Sequence, residues 1–495
     1  MMEKRIFSNA SCNIILQLSI IASGFILPKY IINRYGSSVN GLIVSINQFL
    51  SYITLLESGI GGVIKSQLYK PLYDNNSEEL SGIINASNTF FKKIGGIFFI
   101  YMLIVASCFK FVSDSEFDWM YVFSLVLILG ISTLIQYFVG ITYQVIIQAD
   151  QHYSFTSSVQ TITIWLNVIF SIVCMDLGCS IHVVKLVTGI LFAIRPICYL
   201  VYAKKHYKIN SSIPGNKKAL SQRWDGFGHH IAYFIHSNTD IVLLTFFISL
   251  KEVSVYSVYL MVVTGIRSLI SAVSSAFEPF FGRVIASGDK HKLKSCFDLY
   301  ESFHFLLSSV LFGATMVLIV PFVRIYTNGI TDADYIRVSF SILIVLSELM
   351  YSLRTPYSII IFSAGHFKQT KRGAYVEALI NIILSLILIK PLGLIGVTIG
   401  TLVAMVFRTT EYAFYLSENI LNKKVCSYFN KLVTSVVSIG ILFSIFRELT
   451  PMSYWAWIVY AFGVTICSSL ISVGMFAIFD LKDLKNILVF VKKRG

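Results

Sequence analysis

The chain has 495 residues, of which 55% are hydrophobic and only 13% are charged, and its mean hydropathy is +0.72. Soluble domains carry about 25% charged residues, so this composition excludes an ordinary soluble protein and predicts one that crosses a lipid bilayer many times. The formal net charge is +14. Because the basic residues fall in short segments between apolar runs, we interpret this charge as a determinant of membrane topology and expect no nucleic-acid partner.

Apolar runs of spanning length recur along the sequence with short polar breaks. The first run follows Lys4 and Arg5 and is long enough to span, so we expect it to remain as the first membrane helix. The fourth and tenth runs are long enough to tilt or to contain an interfacial turn. In all, the sequence predicts fourteen spans, at 10–32, 40–63, 92–112, 118–147, 155–175, 180–202, 227–248, 253–276, 300–324, 335–363, 372–391, 393–416, 431–447 and 453–479.

The distribution of basic residues predicts the orientation of these spans. If the N-terminus is cytoplasmic, the loops on that side contain 27 lysine and arginine residues and the loops on the other side contain 9. An excess of this kind on the cytoplasmic side is typical of polytopic proteins. We therefore predict that both termini are cytoplasmic.

The longest cytoplasmic loop that this topology predicts, 203–226, is polar and basic and separates six spans from eight. A repeat with a spacing of about 214 residues supports the same division, because Asn33–Leu42 and the span after it correspond in order and loop length to Ser249–Tyr256 and the span after it. We predict an all-α membrane protein with two six-helix lobes and two extra helices: an N-lobe at 1–202, a linker at 203–226, a C-lobe at 227–416, and a final helix pair with a basic cytoplasmic tail at 417–495.

Two stretches carry a resemblance to a known family. The first comprises SAGHFK at 363–368, EALINIILSL at 377–386 and GLIGVTIGT at 393–401. The second is DIVLL at 240–244 followed by VSVY at 253–256. Together with the layout of six, six and two helices, they make the chain resemble the polysaccharide-transporter branch of the multidrug/oligosaccharidyl-lipid/polysaccharide (MOP) exporter superfamily, which includes the Wzx-type flippases.

The resemblance implies two helical bundles around a central cavity that opens alternately to either side of a bacterial inner membrane. It also implies export of an undecaprenyl-diphosphate-linked saccharide, the precursor of O-antigen, capsule or exopolysaccharide. Polymerase and chain-length proteins of the same pathway would be further partners. Neither an enzymatic activity nor a bound cofactor is implied.

Basic residues within spans are candidates for binding an anionic substrate, because a charge inside the bilayer costs about 2.5–3.5 kcal/mol unless it faces water or a partner. Arg267 lies near the middle of the span 253–276, and its planar guanidinium suits phosphate oxygens. The alternative is an ion pair with Asp240. Further candidates, each of which could instead extend to the nearer membrane surface, are Arg195, Arg354 and Lys29.

Acidic residues within spans are candidates for ion coupling. Asp240 lies about midway along the span 227–248, where it could bind Na⁺ or H⁺ to drive transport, or neutralise Arg267. Glu57 and Glu377 are weaker candidates for the same roles. Glu377 lies one helical turn from Asn381, a spacing that also favours a hydrogen-bonded cluster between helices.

Two further spacings have a local interpretation. Arg408 and Glu411 are three residues apart, so we predict a pair on the helix surface. Gly396 and Gly400 are four apart, a spacing that is typical of close helix packing in membranes.

Two other function classes remain open from the sequence. A cation-coupled exporter of small organic cations, from the same superfamily, would have a cavity dominated by acids, whereas the deep charges here include arginines. A membrane enzyme such as a polysaccharide polymerase would carry larger outer loops than the short ones that this sequence predicts. No nucleotide-binding G-x-x-x-x-G-K-[ST] motif occurs, so we expect an ion gradient, the membrane potential or the substrate gradient to drive transport.

Overall fold

The computed structural model describes residues 2–57, 60–112, 116–216, 227–275 and 277–479. No strand occurs in these ranges, so the predicted all-α fold is confirmed. The α-helices are α1 Met2–Tyr35, α2 Ser37–Ser51, α3 Thr54–Glu57, α4 Ile60–Tyr73, α5 Ser77–Val112, α6 Trp119–Ile135, α7 Ile141–Ala149, α8 Tyr153–Asp176, α9 Ile181–His206, α10 Phe227–Phe247, α11 Leu250–Ser275, α12 Glu278–Ala286, α13 Lys290–Tyr326, α14 Val338–Leu353, α15 Thr355–Ser363, α16 Phe367–Leu392, α17 Leu394–Leu416, α18 Cys426–Phe446 and α19 Tyr454–Phe479.

Thirteen helical segments of the described chain are long and apolar enough to cross a membrane. Each overlaps one of the predicted spans. The remaining prediction, 227–248, coincides with α10, in which Asn238–Phe247 forms a shorter apolar helix. The protein is therefore a multi-pass membrane protein.

Several helices begin well before the apolar run that predicted them. Helix α5 begins at Ser77, whereas the predicted span begins at 92, and α13 begins at Lys290 instead of 300. Both N-termini are capped by polar side chains: Asn76 Oδ1 accepts a hydrogen bond from the N–H of Glu79 (3.1 Å), and Asp289 Oδ1 accepts one from the N–H of Lys292 (2.9 Å). Hydropathy detects only the apolar part of a helix, which lies in the lipid. It misses the polar turns that precede this part and that the caps stabilise.

Three predicted spans are interrupted. The span 40–63 is interrupted by a turn at Tyr52 and Ile53 between α2 and α3, and 118–147 contains a π-helical turn at Gln136–Gly140 between α6 and α7. The span 335–363 divides at Arg354, where α14 ends and α15 begins with Thr355 and Pro356. Proline ends a regular hydrogen-bond ladder because it has no N–H to donate.

The chain divides into two compact units. The first comprises Met1–Phe234 and Ile248–Ser254, and the second comprises Ile235–Phe247 and Val255–Gly495. Part of the predicted linker packs within the first unit, where Asn85 Nδ2 of α5 donates to the backbone carbonyls of Asn210 (2.9 Å) and Ile213 (2.8 Å). The rest of that linker, 217–226, and the predicted basic tail at 480–495 lie outside the described residues.

Two positions related by the sequence repeat meet in the first unit. Asn40 and Ser254 are 214 residues apart, and Asn40 Nδ2 donates to Ser254 Oγ at 2.8 Å. Both side chains are buried. Beside them, a Cβ at Gly41 would collide with the backbone carbonyl of Leu250, so the start of α2 approaches the start of α11 as closely as glycine permits.

Helices α16 and α17 pack closely through the glycines that the sequence identifies. A Cβ at Gly396 would collide with the backbone carbonyl of Leu388, and one at Gly400 would collide with Ser385 Oγ. The Oγ of Ser385 in turn donates to the carbonyl of Val397 (3.2 Å). Small residues therefore allow the backbones of these two helices to come close together, as is common for helices in membranes.

We expect Gly396→Ala to lower the melting temperature of the detergent-solubilised protein, because the new methyl group must push α16 and α17 apart. Gly440→Ala in α18 is the matched control, since a Cβ there meets nothing within 4 Å. Equal melting temperatures for the two variants would contradict the packing described here.

Candidate functional site

Arg267 forms an ion pair with Glu348 within the second unit. Its Nη1 lies 3.0 Å from Glu348 Oε2 and 3.3 Å from Oε1. The guanidinium also lies over the ring of Tyr351, with its carbon 4.7 Å from the ring centre. The sequence left Asp240 open as an alternative partner of Arg267; among the described residues, Glu348, one turn from Tyr351 on α14, supplies a paired carboxylate.

Arg354 lies over the same ring and extends this set of charges. Its guanidinium carbon lies 4.3 Å from the centre of Tyr351, and its Nη1 donates to Glu377 Oε1 at 2.9 Å. The second oxygen of Glu377 lies 3.4 Å from Nε of Arg408. Glu377 therefore pairs with two arginines from different helices.

Arg408 is a core residue, with its side chain only 2% exposed. It donates to Glu411 (2.6 Å), to the hydroxyl of Tyr412 (2.7 Å) and to the backbone carbonyl of Thr370 (3.1 Å). The i, i+3 pair with Glu411 thus exists, but its predicted place on the helix surface is wrong. Close packing explains the difference, since a Cβ at Gly373 would collide with Arg408 Nη1.

These contacts join seven side chains, which we call the arginine cluster: Arg267, Glu348, Tyr351, Arg354, Glu377, Arg408 and Glu411. Three guanidiniums face three carboxylates, so the cluster is formally neutral. Pairing of this kind offsets the cost of placing charges in a lipid-spanning segment. Exposure falls along the cluster, from 25% at the side chain of Arg267 to 12% at Arg354 and 2% at Arg408. Arg267 is therefore the arginine that a ligand reaches most readily.

Asp240 is hydrogen-bonded to uncharged side chains and is not part of the arginine cluster. Its carboxylate accepts hydrogen bonds from the hydroxyls of Tyr256 (2.8 Å) and Thr401 (2.8 and 2.9 Å). The residue is buried, and no Lys or Arg pairs with it in the described part of the chain. Burial of a carboxylate without a cation is costly, which makes Asp240 a position where a mobile cation would be stabilised.

The surroundings of Asp240 are rich in oxygen acceptors. Asn381 Nδ2 donates to Thr401 Oγ1 at 2.9 Å, while Asn381 Oδ1 is buried without a hydrogen-bond partner. Thr401 has a single proton to donate and two Asp240 oxygens within reach. Carboxylate, amide and hydroxyl oxygens suit a hard cation, or a proton on the carboxylate. Glu348 is also close enough for its charge to repel that of Asp240.

The other candidates from the sequence lie in the first unit. Arg195 donates to Thr163 Oγ1 at 2.6 Å and lies 4.0 Å from the ring centre of Phe192. No carboxylate pairs with it among the described residues. Glu57 is half-buried in α3, and Lys29 is half-buried in α1 next to Pro28. The roles predicted for these three residues stay predictions.

The second unit contains another cluster of charged residues, which the sequence did not predict. Glu301 of α13 is 2% exposed and accepts from Lys431 (2.7 Å), Lys423 (3.1 Å) and the hydroxyl of Tyr357 (2.6 Å). Lys431 stands at the first position of the predicted span 431–447 and is fully buried in α18. A polar stripe of Lys431, Ser435 and Ser438 at helical spacing was the available signal, because it predicts a face that packs against protein.

We expect Glu377→Ala to destabilise the protein by about 3–5 kcal/mol, because the substitution leaves two buried guanidiniums without a shared carboxylate. Unfolding in detergent, followed by circular dichroism, measures this change. Glu448→Ala is the control, since that carboxylate is 88% exposed and should contribute little. A Glu377→Ala protein as stable as the control would show that the pairing is not structural.

Comparison with solved structures identifies the fold. The chain superposes on the lipid II flippase MurJ in an inward closed conformation with a TM-score of 0.71 and 15% identity, covering 95% of this chain and 98% of MurJ. It matches an inward-facing multidrug resistance MATE transporter of the MOP superfamily with a TM-score of 0.61 and 13% identity, covering 81% of this chain and 95% of that one. It also matches the MATE multidrug transporter DinF-BH with a TM-score of 0.62 and 16% identity, covering 84% of this chain and 97% of that one. The chain thus has the fold of MOP-superfamily transporters.

No family model matches the sequence. No curated protein matches it either.

Proposed function

We propose that the protein is a flippase that moves undecaprenyl-diphosphate-linked oligosaccharide repeat units from the cytoplasmic to the outer leaflet of a bacterial inner membrane by alternating access. The product would serve O-antigen, capsule or exopolysaccharide synthesis, with polymerase and chain-length proteins acting after it. The arginine cluster is the observation that carries the proposal. It places guanidiniums within membrane-spanning helices, where a diphosphate needs compensation of its charge.

Arg267 has the geometry for exchanging one anion for another. Its present partner, Glu348, is held through one Nη atom, and its side chain is a quarter exposed. A diphosphate presents several oxygens to the planar fork of a guanidinium, which binds phosphate in a bidentate manner. Phosphate binding at Arg267 would release Glu348, so arrival of the substrate would rearrange the paired charges.

The extent of the structural similarity supports a lipid-linked substrate. MurJ, which is a lipid II flippase, covers 95% of the chain, whereas the two MATE transporters cover 81% and 84%. The superposition on MurJ also has the higher TM-score. A lipid-linked substrate is therefore the first to test.

The functional test uses a strain that lacks the gene and therefore accumulates lipid-linked repeat units on the cytoplasmic face. We expect Arg267→Ala to lower surface polymer about 10-fold or more, because a charge-assisted hydrogen bond contributes about 1.5–3 kcal/mol. Arg267→Lys should restore only part of it, since lysine lacks the planar fork. Polymer is measured on intact cells and normalised to the amount of each variant in the membrane.

Arg337→Ala is the control for this experiment, because that arginine is exposed and pairs with Asp334 at the surface. Full polymer in the Arg267→Ala strain would remove Arg267 from the site. Normal polymer in the deletion strain would overturn the flippase proposal itself.

We further propose that Asp240 binds the coupling cation, Na⁺ or H⁺. Four features support this role: burial, the absence of a paired base in the described chain, the orphaned Oδ1 of Asn381, and the nearby charge of Glu348. A cation at Asp240 would relieve its repulsion with Glu348 and so favour release of Arg267 towards a phosphate. Cation and anion would then be bound cooperatively.

We expect Asp240→Asn to abolish the dependence of transport on the cation, because the amide keeps the shape of the carboxylate and removes its charge. In inverted vesicles, transport by the wild type should respond to a Na⁺ gradient at constant pH or to a pH gradient without Na⁺. Asp334→Asn, at an exposed carboxylate, should behave like the wild type. A wild-type rate that ignores both gradients, or an unchanged gradient response in Asp240→Asn, would refute this role.

The alternative function is cation-coupled export of small organic molecules. Two features of the site favour this alternative: the arginine cluster has no net charge, and the carboxylate of Asp240 has no paired base in the described chain. The similarity to the multidrug transporter DinF-BH favours it as well. Under this alternative, deletion of the gene sensitises cells to cationic dyes while surface polymer stays normal.

A further inference from the structure

A buried histidine lies at the proline break in the helix pair α14–α15. Pro356 has no N–H, so the carbonyl of Ser352 loses the donor that a regular helix would supply four residues later. His304 Nε2 of α13 lies 2.9 Å from that carbonyl oxygen. The imidazole therefore occupies the position of the missing helical hydrogen bond.

The rest of the environment fixes the ring in this role. His304 is buried, and its Nδ1 lies 3.2 Å from Ser274 Oγ of α11. Because a carbonyl can only accept, the proton of the neutral ring must be on Nε2. Nδ1 is then an acceptor that faces the hydroxyl of Ser274, whose single proton is also within reach of the carbonyl of Ile270 (2.9 Å). His304 thus connects α11, α13 and the end of α14.

The break is supported from its other side as well. Thr409 Oγ1 of α17 donates to the carbonyl of Met350 at 2.8 Å, an oxygen that also accepts from the N–H of Arg354 (3.2 Å). Arg354 is the residue at the break, and its side chain pairs with Glu377 and lies over Tyr351. The local backbone at the break therefore determines where the middle guanidinium of the arginine cluster points.

We infer that His304 is a positioning residue: its Nε2–H stabilises the α14–α15 break by satisfying the carbonyl that Pro356 leaves free, and thereby holds Arg354 in the arginine cluster. A regular helix through this point would need no donor from α13. The consequence for transport rests on the proposed function, whereas the structural role does not.

A double-mutant cycle on the full-length protein tests this role, because Pro356→Ala restores the backbone N–H that His304 replaces. We expect His304→Leu alone to lower the melting temperature in detergent by about 3 °C or more, since it leaves a buried carbonyl unsatisfied. In the Pro356→Ala background, most of that loss should disappear. His304→Gln, which keeps a donor of similar reach, should retain the wild-type melting temperature.

Pro321→Ala is the matched control, because it restores an N–H to a different carbonyl, one in α13. In that background, His304→Leu should lower the melting temperature as much as it does in the wild type. An equal loss in the Pro356→Ala and wild-type backgrounds would overturn the proposal and leave His304 as a packing residue. No loss in the wild-type background would overturn it too.

Surface polymer in the same variants provides the functional arm. We expect it to fall in His304→Leu and to recover in His304→Leu/Pro356→Ala, in parallel with the melting temperatures. If the melting temperatures follow the cycle while polymer is normal in every variant, including Arg354→Ala, the positioning role stands and the proposed function fails. If melting recovers and polymer does not, His304 acts on transport by another route and its role in holding Arg354 is refuted.

Discussion

Glu377 holds the second unit together electrostatically, because one buried carboxylate serves two guanidiniums from two different helices, Arg354 at 2.9 Å and Arg408 at 3.4 Å. Lipid offers no water to stabilise those charges, and a single arginine at the centre of a span costs about 2.5–3.5 kcal/mol on insertion scales. Only mutual pairing makes three arginines tolerable. This pairing links the end of α14 to α16 and α17, and glycines allow α16 and α17 to pack closely.

The same constraint gives the site its chemistry. A neutral cluster is stable at rest, and under our proposal its most exposed member, Arg267, exchanges the carboxylate of Glu348 for a substrate anion. Asp240 shows the complementary case, a buried carboxylate that the described chain leaves without a base and surrounds with hydroxyl and amide oxygens. Glu348 pairs with Arg267, and its charge repels that of Asp240. A cation at Asp240 and an anionic substrate at Arg267 could therefore influence each other's binding through Glu348.

Much of the fold could be predicted because lipid imposes a strong pattern on the sequence. Every predicted span overlaps a helix of the described chain. Partner choice could not be predicted in the same way. Contacts between side chains depend on which helix faces pack together, and the mean hydropathy of a span does not contain that information. Examples are the pairing of Arg267 with Glu348, the burial of Arg408 and the contacts of Lys431. Helix ends were missed for a related reason, since the caps at Asn76 and Asp289 are polar and lie outside the apolar windows.

The central claim is that this chain moves a lipid-linked saccharide between leaflets, and purified protein in sealed vesicles tests it without the rest of the pathway. A labelled undecaprenyl-diphosphate oligosaccharide is placed in the inner leaflet, and its arrival outside is measured with a membrane-impermeant lectin or oxidant. We expect the lipid to become accessible in protein-containing vesicles at a rate well above that of protein-free vesicles. Unchanged accessibility, with efflux of a cationic dye from the same vesicles, would contradict it.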